Sequence, residues 1–129
     1  MPHILLVEDD AVLRKVLRDL LVRDGHTVVV AANGVDALRH LGTETFDVVI
    51  SDLIMPELEG IQLVRTLRMR DKPPPIIAMS GGGRGSSSTY LQMARRAGAA
   101  VTLSKPFTAA ALSQAITEAL TSGADPAAH

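Results

Sequence analysis

Short apolar runs alternate with longer amphipathic stretches along almost the whole chain, and few folds accommodate such a pattern. Five runs stand out, four of them rich in branched residues and the last one weaker: Ile4 to Val7, Val28 to Ala31, Val48 to Ile50, Ile76 to Met79 and Ala100 to Leu103. Short apolar runs of this kind are typical of strands that are buried on both faces. The sequence therefore predicts five buried strands.

The stretches between these runs have the spacing of amphipathic helices. The first stretch places five apolar residues on one side: Val12, Val16, Leu17, Leu20 and Leu21. It places four basic residues on another side: Arg14, Lys15, Arg18 and Arg23. Four further helices are predicted, at Val35 to Leu41, Ile61 to Met69, Tyr90 to Ala97 and Ala109 to Leu120. We expect each helix to bury its apolar side against the strands.

A strand followed by a helix, repeated five times, predicts a doubly wound α/β domain. Apolar strands in strict alternation with helices form a parallel sheet that is covered on both faces, and right-handed crossovers limit how it is wound. With 129 residues, 47% of them hydrophobic, the chain has enough apolar side chains for one domain and too few residues for two. We assign residues 1–121 to this domain and residues 122–129 to a flexible C-terminal tail.

The composition argues against several classes of function. The chain has 13 Lys and Arg against 14 Asp and Glu, and it lacks the basic excess of proteins that bind nucleic acid directly. It has no cysteine, which rules out disulfides, thiolate metal sites and thiol catalysis. Because no apolar run approaches the roughly 20 residues needed to cross a bilayer, we expect a cytoplasmic protein that is not attached to a membrane.

Polar side chains follow four of the five predicted strands. They are Glu8, Asp9 and Asp10 after the first strand, Ser51 and Asp52 after the third, Ser80 after the fourth, and Ser104 and Lys105 after the fifth. Open parallel sheets bind ligands at the carboxyl ends of their strands. If the strands lie in the common order 2-1-3-4-5, the first and third are neighbours, which brings Glu8 and Asp9 beside Asp52.

Three carboxylates at one point need protons or a cation, since like charges at short range raise one another's pKa values. Carboxylate oxygens are ligands of hard cations, and the chain has no Cys or His grouping suited to zinc. We therefore predict a Mg2+ site formed by Glu8, Asp9 and Asp52. Asp10 has a simpler explanation, because Asp often caps the N-terminus of a helix.

Three segments resemble the receiver domain of two-component response regulators: LVEDD at Leu6 to Asp10, DVVISDLIMP at Asp47 to Pro56 with Gly60 after it, and LSKPF at Leu103 to Phe107. The acidic pair, the phosphoacceptor segment, the hydroxyl and the Lys-Pro pair occur in that family's order. The resemblance runs from about His3 to Leu120. It implies a flavodoxin-like, CheY-like sheet of order 2-1-3-4-5 with five helices, in a single-domain protein without an attached output domain.

The resemblance also implies roles for the acidic residues. Asp52 would accept a phosphoryl group from a histidine kinase or a phosphotransfer protein. Mg2+ would be bound directly by Asp9 and Asp52 and by the backbone carbonyl of Ile54, and Glu8 would act in the same pocket through water. The protein would catalyse its own Mg2+-dependent phosphorylation and dephosphorylation, with no turnover of a separate substrate.

The hydroxyl and the lysine receive roles in the same way. Ser80 would donate to a phosphoryl oxygen, and Lys105 would pair with the Asp52 carboxylate and later with the phosphoryl group. The resemblance also implies a cis Lys105–Pro106 peptide, a form that only X-Pro bonds adopt at modest cost. General chemistry favours these roles, because phosphoryl transfer needs an aligned oxygen nucleophile and positive charge at the phosphoryl oxygens.

Two segments depart from the family pattern. The family has Tyr or Phe three residues before the lysine of the fifth strand, as a switch coupled to the hydroxyl of Ser80, whereas this chain has Thr102. Tyr90 is a candidate replacement. The segment Gly81 to Ser88 matches no nucleotide-binding loop and predicts a mobile connection, which phosphorylation would order if Arg84 approached the phosphoryl group. The implied surface for a downstream effector is helix four, strand five and helix five.

Other functions on this fold are less well supported. The main alternative is a receiver-like interaction module that is never phosphorylated, although such modules usually lack an acidic residue or the lysine. A Mg2+-dependent phosphohydrolase using Asp52 would need a second acid where Ile54 stands. A flavin or nucleotide site would need a phosphate cradle after the first strand, where Glu8, Asp9 and Asp10 repel phosphate. We therefore expect a signalling switch or a phosphorelay component.

Overall fold

Strands and helices alternate through the parts of the chain that the computed structural model describes, which are residues 2–52, 59–70, 72–81 and 87–124. The strands are β1 (His3–Val7), β2 (Thr27–Ala31), β3 (Val48–Asp52), β4 (Ile76–Gly81) and β5 (Val101–Lys105). The helices are α1 (Ala11–Arg23), α2 (Gly34–Leu41), α3 (Glu59–Arg68), α4 (Ser87–Ala97) and α5 (Ala109–Ala124). Each strand is followed by a helix, as the alternation of the sequence predicts.

The five strands form one sheet in the order β2-β1-β3-β4-β5, and all neighbouring strands are parallel. The predicted fold class and strand order are therefore confirmed. In the register of the sheet, Val7 lies opposite Ser51, and Ser80 lies opposite Ser104. Because parallel strands end at the same edge, the polar residues at the carboxyl ends of β1, β3, β4 and β5 come together there.

The sheet has an apolar layer on each face, since successive residues of a strand point to opposite sides. One layer joins the sheet to α2, α3 and α4, and includes Leu5, Val49, Ala78, Ala37, Leu63, Leu67 and Ala94. The other layer joins it to α1 and α5, and includes Ile4, Leu6, Ile50, Met79, Leu17, Leu21, Leu112 and Ile116. Aliphatic side chains make up most of both layers, as the small number of aromatic residues requires.

The first helix buries only part of the side that was predicted. Leu17 and Leu21 are buried, but Val12 and Val16 are 75% and 50% exposed. The prediction for these two valines was wrong because apolar residues occupy more of the circumference of α1 than the sheet can cover. The buried side is set by the leucines, and the valines remain as an exposed ridge.

The helix ends are defined by side chains that the sequence only partly identifies. Asp10 is the N-cap of α1, and its carboxylate accepts hydrogen bonds from the backbone nitrogens of Val12 and Leu13. Asn33 caps α2 in the same way by accepting from the nitrogen of Asp36 at 2.8 Å. The capping explanation of Asp10 is therefore confirmed.

Helices α4 and α5 extend beyond their predicted ends. Helix α4 begins at Ser87, so the last two residues of the segment Gly81 to Ser88, predicted to be mobile, are helical. Helix α5 continues to Ala124, so residues 122–124 belong to it and not to a tail. Small and polar residues do not stop a helix that already has an apolar side on the sheet. Residues 125–129 lie outside the described residues. Among the described residues, no helix has both the length and the apolar composition that crossing a membrane requires.

Candidate functional site

The ends of β1 and β3 bring three acidic residues together at the carboxyl edge of the sheet. Glu8 follows β1 directly, and Asp52 is the last residue of β3. One carboxylate oxygen from each of Glu8, Asp9 and Asp52 lies within 4.8 Å of the other two. Glu8 and Asp52 are buried, whereas Asp9 is exposed. The predicted meeting of these three carboxylates is therefore confirmed.

Glu8 is fixed by hydrogen bonds at both its side chain and its main chain. Its Oε1 accepts from Nζ of Lys105 at 2.9 Å, and its Oε2 accepts from the backbone nitrogen of Asp10 at 3.1 Å. Its own nitrogen donates to the carbonyl of Ala31 at 3.0 Å, and its carbonyl accepts from Nη1 of Arg14 at 2.9 Å. The position of this carboxylate is thus set by the fold itself.

The Lys105 ammonium lies between two buried carboxylates. Its Nζ is 2.9 Å from Oε1 of Glu8 and 3.3 Å from Oδ2 of Asp52. Burial lowers the pKa of Lys105, but the hydrogen bond to Glu8 and the charges of Asp52 and Glu8 outweigh burial and raise it above its ordinary value. The ammonium therefore stays charged at neutral pH. The Lys105–Pro106 peptide is cis.

Glu8 titrates near neutral pH because of its surroundings. Burial is the largest effect and raises its pKa, hydrogen bonds from Lys105 and from the Asp10 backbone lower it, and the charge of Asp52 raises it again. The net result is a pKa raised from 4.5 to about 7. A cation bound by these carboxylates competes with that proton, since metal ligands must be deprotonated.

The raised pKa of Glu8 predicts opposite effects of pH without and with Mg2+. Folded Glu8 binds its proton more tightly than unfolded Glu8, so its contribution to the free energy of unfolding is present below pH 4.5 and is lost as the pH rises through about 7. The loss amounts to about 3 kcal/mol at most. Stabilisation by Mg2+ should instead increase over this range. Urea unfolding between about pH 5 and 8, with a chelator or with Mg2+, measures both trends.

Glu8→Gln is the control for this prediction, because glutamine keeps the shape of the side chain but does not titrate. Both pH trends should flatten in this variant. The prediction is contradicted if chelated wild-type protein becomes more stable than the variant as the pH rises from 5 to 7.

Ser80 carries a buried hydroxyl at the same edge of the sheet. It follows Met79, the β4 residue that lies opposite Asp52 in the register. The residue is 0% exposed, and its Oγ has no hydrogen-bond partner among the described residues. The buried hydroxyl of Ser51, by contrast, donates to the carbonyl of Asp52 at 3.2 Å. Because buried hydroxyls normally have partners, the Ser80 hydroxyl is suited to bind a ligand oxygen.

Ser80→Ala should therefore stabilise the free protein while Ser51→Ala should destabilise it. Removing an unsatisfied buried hydroxyl removes a desolvation cost, whereas removing a satisfied one loses a hydrogen bond, and each effect is about 1 kcal/mol. Urea unfolding of the two variants against the wild type measures the difference. Equal losses of stability in both variants would mean that the Ser80 hydroxyl already has a partner.

Two arginines make contacts that sequence reasoning missed. Arg14 binds the carbonyl of Glu8 as described above, and Arg95 in α4 donates from Nη2 to Oγ1 of Thr102 at 3.0 Å. Thr102 is half-buried in β5, opposite Ala78 of β4. Long side chains that reach another element leave no short-range signal in a sequence. The place where the resemblance leads us to expect an aromatic switch thus holds a threonine that is hydrogen-bonded to α4.

Several residues singled out by the sequence lie outside the described residues. They are Ile54 with its backbone carbonyl, Met55, Pro56, and residues 82–86 with Arg84. The side chain of Tyr90 is outside them as well. Their expected roles stay predictions.

The donor set suits a hard divalent cation. The three candidate ligands supply carboxylate oxygens only, two of them from buried residues that the fold holds in place. Mg2+ prefers oxygen ligands and keeps several waters, and the exposed Asp9 leaves one side of the cluster open to solvent. The residues present therefore fit Mg2+, which Asp9, Asp52 and Glu8 would hold.

Comparison with known proteins agrees with this geometry. The family model of the response regulator receiver domain matches residues 4–117. The chain is also similar to the solved structure of a response regulator receiver domain protein from Clostridium thermocellum. That match has a TM-score of 0.84 and 30% identity, and it covers 95% of this chain and 96% of the other.

Curated relatives are longer than this chain. It is 39% identical over 118 residues to the transcriptional regulatory protein GlrR of Escherichia coli K12, covering 92% of this chain and 26% of that protein. It is 38% identical over 107 residues to the transcription factor SKN7 of Candida albicans, covering 82% of this chain and 18% of that protein. The chain thus spans less than a fifth of the length of SKN7 and about a quarter of the length of GlrR.

Proposed function

The chain belongs to the response regulator receiver family, and on that premise we propose that it is a cytoplasmic signalling switch that accepts a phosphoryl group on Asp52. The phosphodonor is a sensor histidine kinase or a phosphotransfer protein. The observation that carries this proposal is the contact of the buried Asp52 carboxylate with the Lys105 ammonium, 3.3 Å away, in a pocket with two further carboxylates. Phosphoryl transfer requires a nucleophile, a fixed cation and a metal-binding cluster at one point.

The proposed reaction uses groups at fixed positions. An oxygen of Asp52 forms a bond to phosphorus, and the bond between phosphorus and the donor nitrogen or oxygen breaks, leaving its electron pair with the donor. The Lys105 ammonium offsets charge on the transferred group, and the Ser80 hydroxyl donates to one of its oxygens. When bound by Asp9, Asp52 and Glu8, Mg2+ supplies further positive charge. Attack of water on the acyl phosphate reverses the modification.

The proposed signal is a rearrangement around the new charge. An aspartyl phosphate adds up to about two negative charges at Asp52. Two groups are suited to follow it: the Lys105 ammonium, 3.3 Å from Asp52, and the Ser80 hydroxyl at the same edge of the sheet. Strand β4 carries Ser80 and strand β5 carries Lys105. Strand β5 also carries Thr102, which accepts a hydrogen bond from Arg95 of α4. We assign the switch to Ser80 and Thr102, and the effector surface to α4, β5 and α5.

Incubation with Mg2+ and a small acyl-phosphate donor, followed by intact-mass spectrometry, tests the proposal. We expect one added phosphoryl group in the presence of Mg2+ and none when a chelator is present. A protein that binds Mg2+ but gains no mass would contradict the proposal and favour the interaction module that is never phosphorylated.

A further inference from the structure

Helices α2 and α3 enclose a small groove on the surface of the protein, which we call the α2–α3 slot. Its volume is about 140 Å³, and it is lined by Gly34, Val35, Leu38, Gln62, Leu63 and Thr66. Cavities of about 150 Å³ take up a benzene-sized group. The slot therefore has room for one aliphatic side chain from outside.

Each helix of the slot carries, or is directly followed by, an exposed apolar side chain. Val35 is 73% exposed on α2, and Met69, just after α3, is 88% exposed. Met69 follows Thr66 by three residues, a spacing that places the two on the same side of the helix end. Leu63 is 2% exposed and belongs to the core, so it forms the floor of the slot. Apolar side chains at the mouth of a concave site mark an interaction surface more often than scattered ones do.

Basic side chains lie at the end of the slot that the C-terminal half of α3 forms, although the whole chain has a formal net charge of -1. Arg65 is exposed on α3, one helical turn from both Gln62 and Met69, and it has no ion-pair partner among the side chains described. Arg70 donates from Nη1 to the carbonyl of Leu41 at the end of α2.

One acid of α2, next to Val35 of the slot, is already neutralised. Asp36 is paired with Arg39 on α2 and lies 3.8 Å from Nε2 of His40. Among the described side chains at the end of the slot near the C-terminus of α3, Arg65 and Arg70 therefore carry positive charge without an acidic partner.

We propose that the α2–α3 slot binds an acidic amphipathic helix of a partner protein. One aliphatic side chain of that helix enters the slot between Val35 and Thr66, and carboxylates on its flanks face Arg65 and Arg70. A helix laid into a groove between two helices is a common recognition mode, with anchors at helical spacing. An anionic membrane is less suitable, because lipid headgroups are recognised by larger basic clusters than two arginines. The proposal does not depend on phosphorylation of Asp52.

A helical peptide with Leu at positions i, i+4 and i+7 and Glu at the other surface positions is the probe for this proposal. Its binding to the full chain is measured by calorimetry, and the site is mapped by amide chemical shifts. We expect shifts at α2 and α3. A second peptide with Lys in place of Glu should bind at least about tenfold more weakly.

Two variants test the two parts of the slot. Val35→Asp should weaken binding by about tenfold or more, since it places a charge where an apolar contact forms. Arg65→Glu should weaken the binding of the Glu peptide and strengthen the binding of the Lys peptide. Val12→Asp is the matched control, because Val12 is 75% exposed and also lies in the first turn of a helix; it should bind like the wild type. Acidic residues suit the first turn of a helix, so neither valine variant should unfold the protein.

Three results would overturn the proposal. The first is equal affinity for the Glu and Lys peptides, or no loss in the Val35→Asp variant. The second is binding of anionic vesicles that Arg65→Glu abolishes while the peptides do not bind. The third is self-association with shifts at α2 and α3, which would assign the slot to a second copy of this chain.

Discussion

Asp52→Asn should abolish phosphorylation by an acyl-phosphate donor completely, with no detectable mass increase under conditions that fully label the wild type. The amide keeps the size of the side chain but removes the charged oxygen that attacks phosphorus. We do not expect Glu8 to replace it, because Glu8 is engaged by both Lys105 and the Asp10 backbone. Intact-mass spectrometry measures the incorporation.

Asp19→Asn is the matched control for this experiment. Asp19 lies on the exposed side of α1, where it pairs with Lys15 at 2.9 Å, and its replacement should leave labelling unchanged. Retained labelling of the Asp52→Asn variant would mean that another residue accepts the phosphoryl group. Loss of labelling in both variants, with both folded, would mean that the effect does not report on the acceptor.

Lys105→Met should reduce both stability and phosphorylation. Removing one partner of a buried ion pair costs about 3–5 kcal/mol when the other charge stays buried, and here Glu8 and Asp52 both lose their cation. Protonation of Glu8 relieves part of that cost, so the loss of stability should be smaller at about pH 5 than at about pH 8. The rate of phosphoryl incorporation should fall by about 100-fold, the usual effect of losing one fixed charge-stabilising group.

Lys15→Met separates this effect from a general effect of losing a lysine. Lys15 is 77% exposed and pairs only with Asp19 among the described residues, and an exposed ion pair contributes less than about 1 kcal/mol. Urea unfolding at both pH values should therefore distinguish the two variants. If Lys105→Met is no less stable than Lys15→Met at either pH, the ammonium does not stabilise the buried carboxylates as we infer.

Much of the fold could be predicted from the sequence because its strands are short, apolar and regularly spaced. Period and spacing identify β1, β3 and β4 without knowledge of any contact, and parallel strands that end at one edge bring Glu8, Asp9 and Asp52 together. The order of the strands required an assumption, since periodicity does not say which strands are neighbours. The common order was the correct one.

Other features depend on contacts between distant elements and could not be predicted. The exposure of the Val12 and Val16 side chains depends on how much of α1 the sheet covers. The contact of Arg95 with Thr102 depends on the distance between α4 and β5. The absence of a hydrogen-bond partner for Ser80 among the described residues depends on which groups surround its hydroxyl.

The contact of Lys105 with Glu8 joins residues that are 97 positions apart in the chain. The chain from Glu8 to Lys105 must be synthesised and folded into the sheet before the pocket exists. In a nascent or misfolded copy, the Lys105 ammonium is therefore not beside the acidic residues. The pocket that we propose to accept the phosphoryl group is complete only in the folded protein, so labelling of Asp52 would also report correct folding.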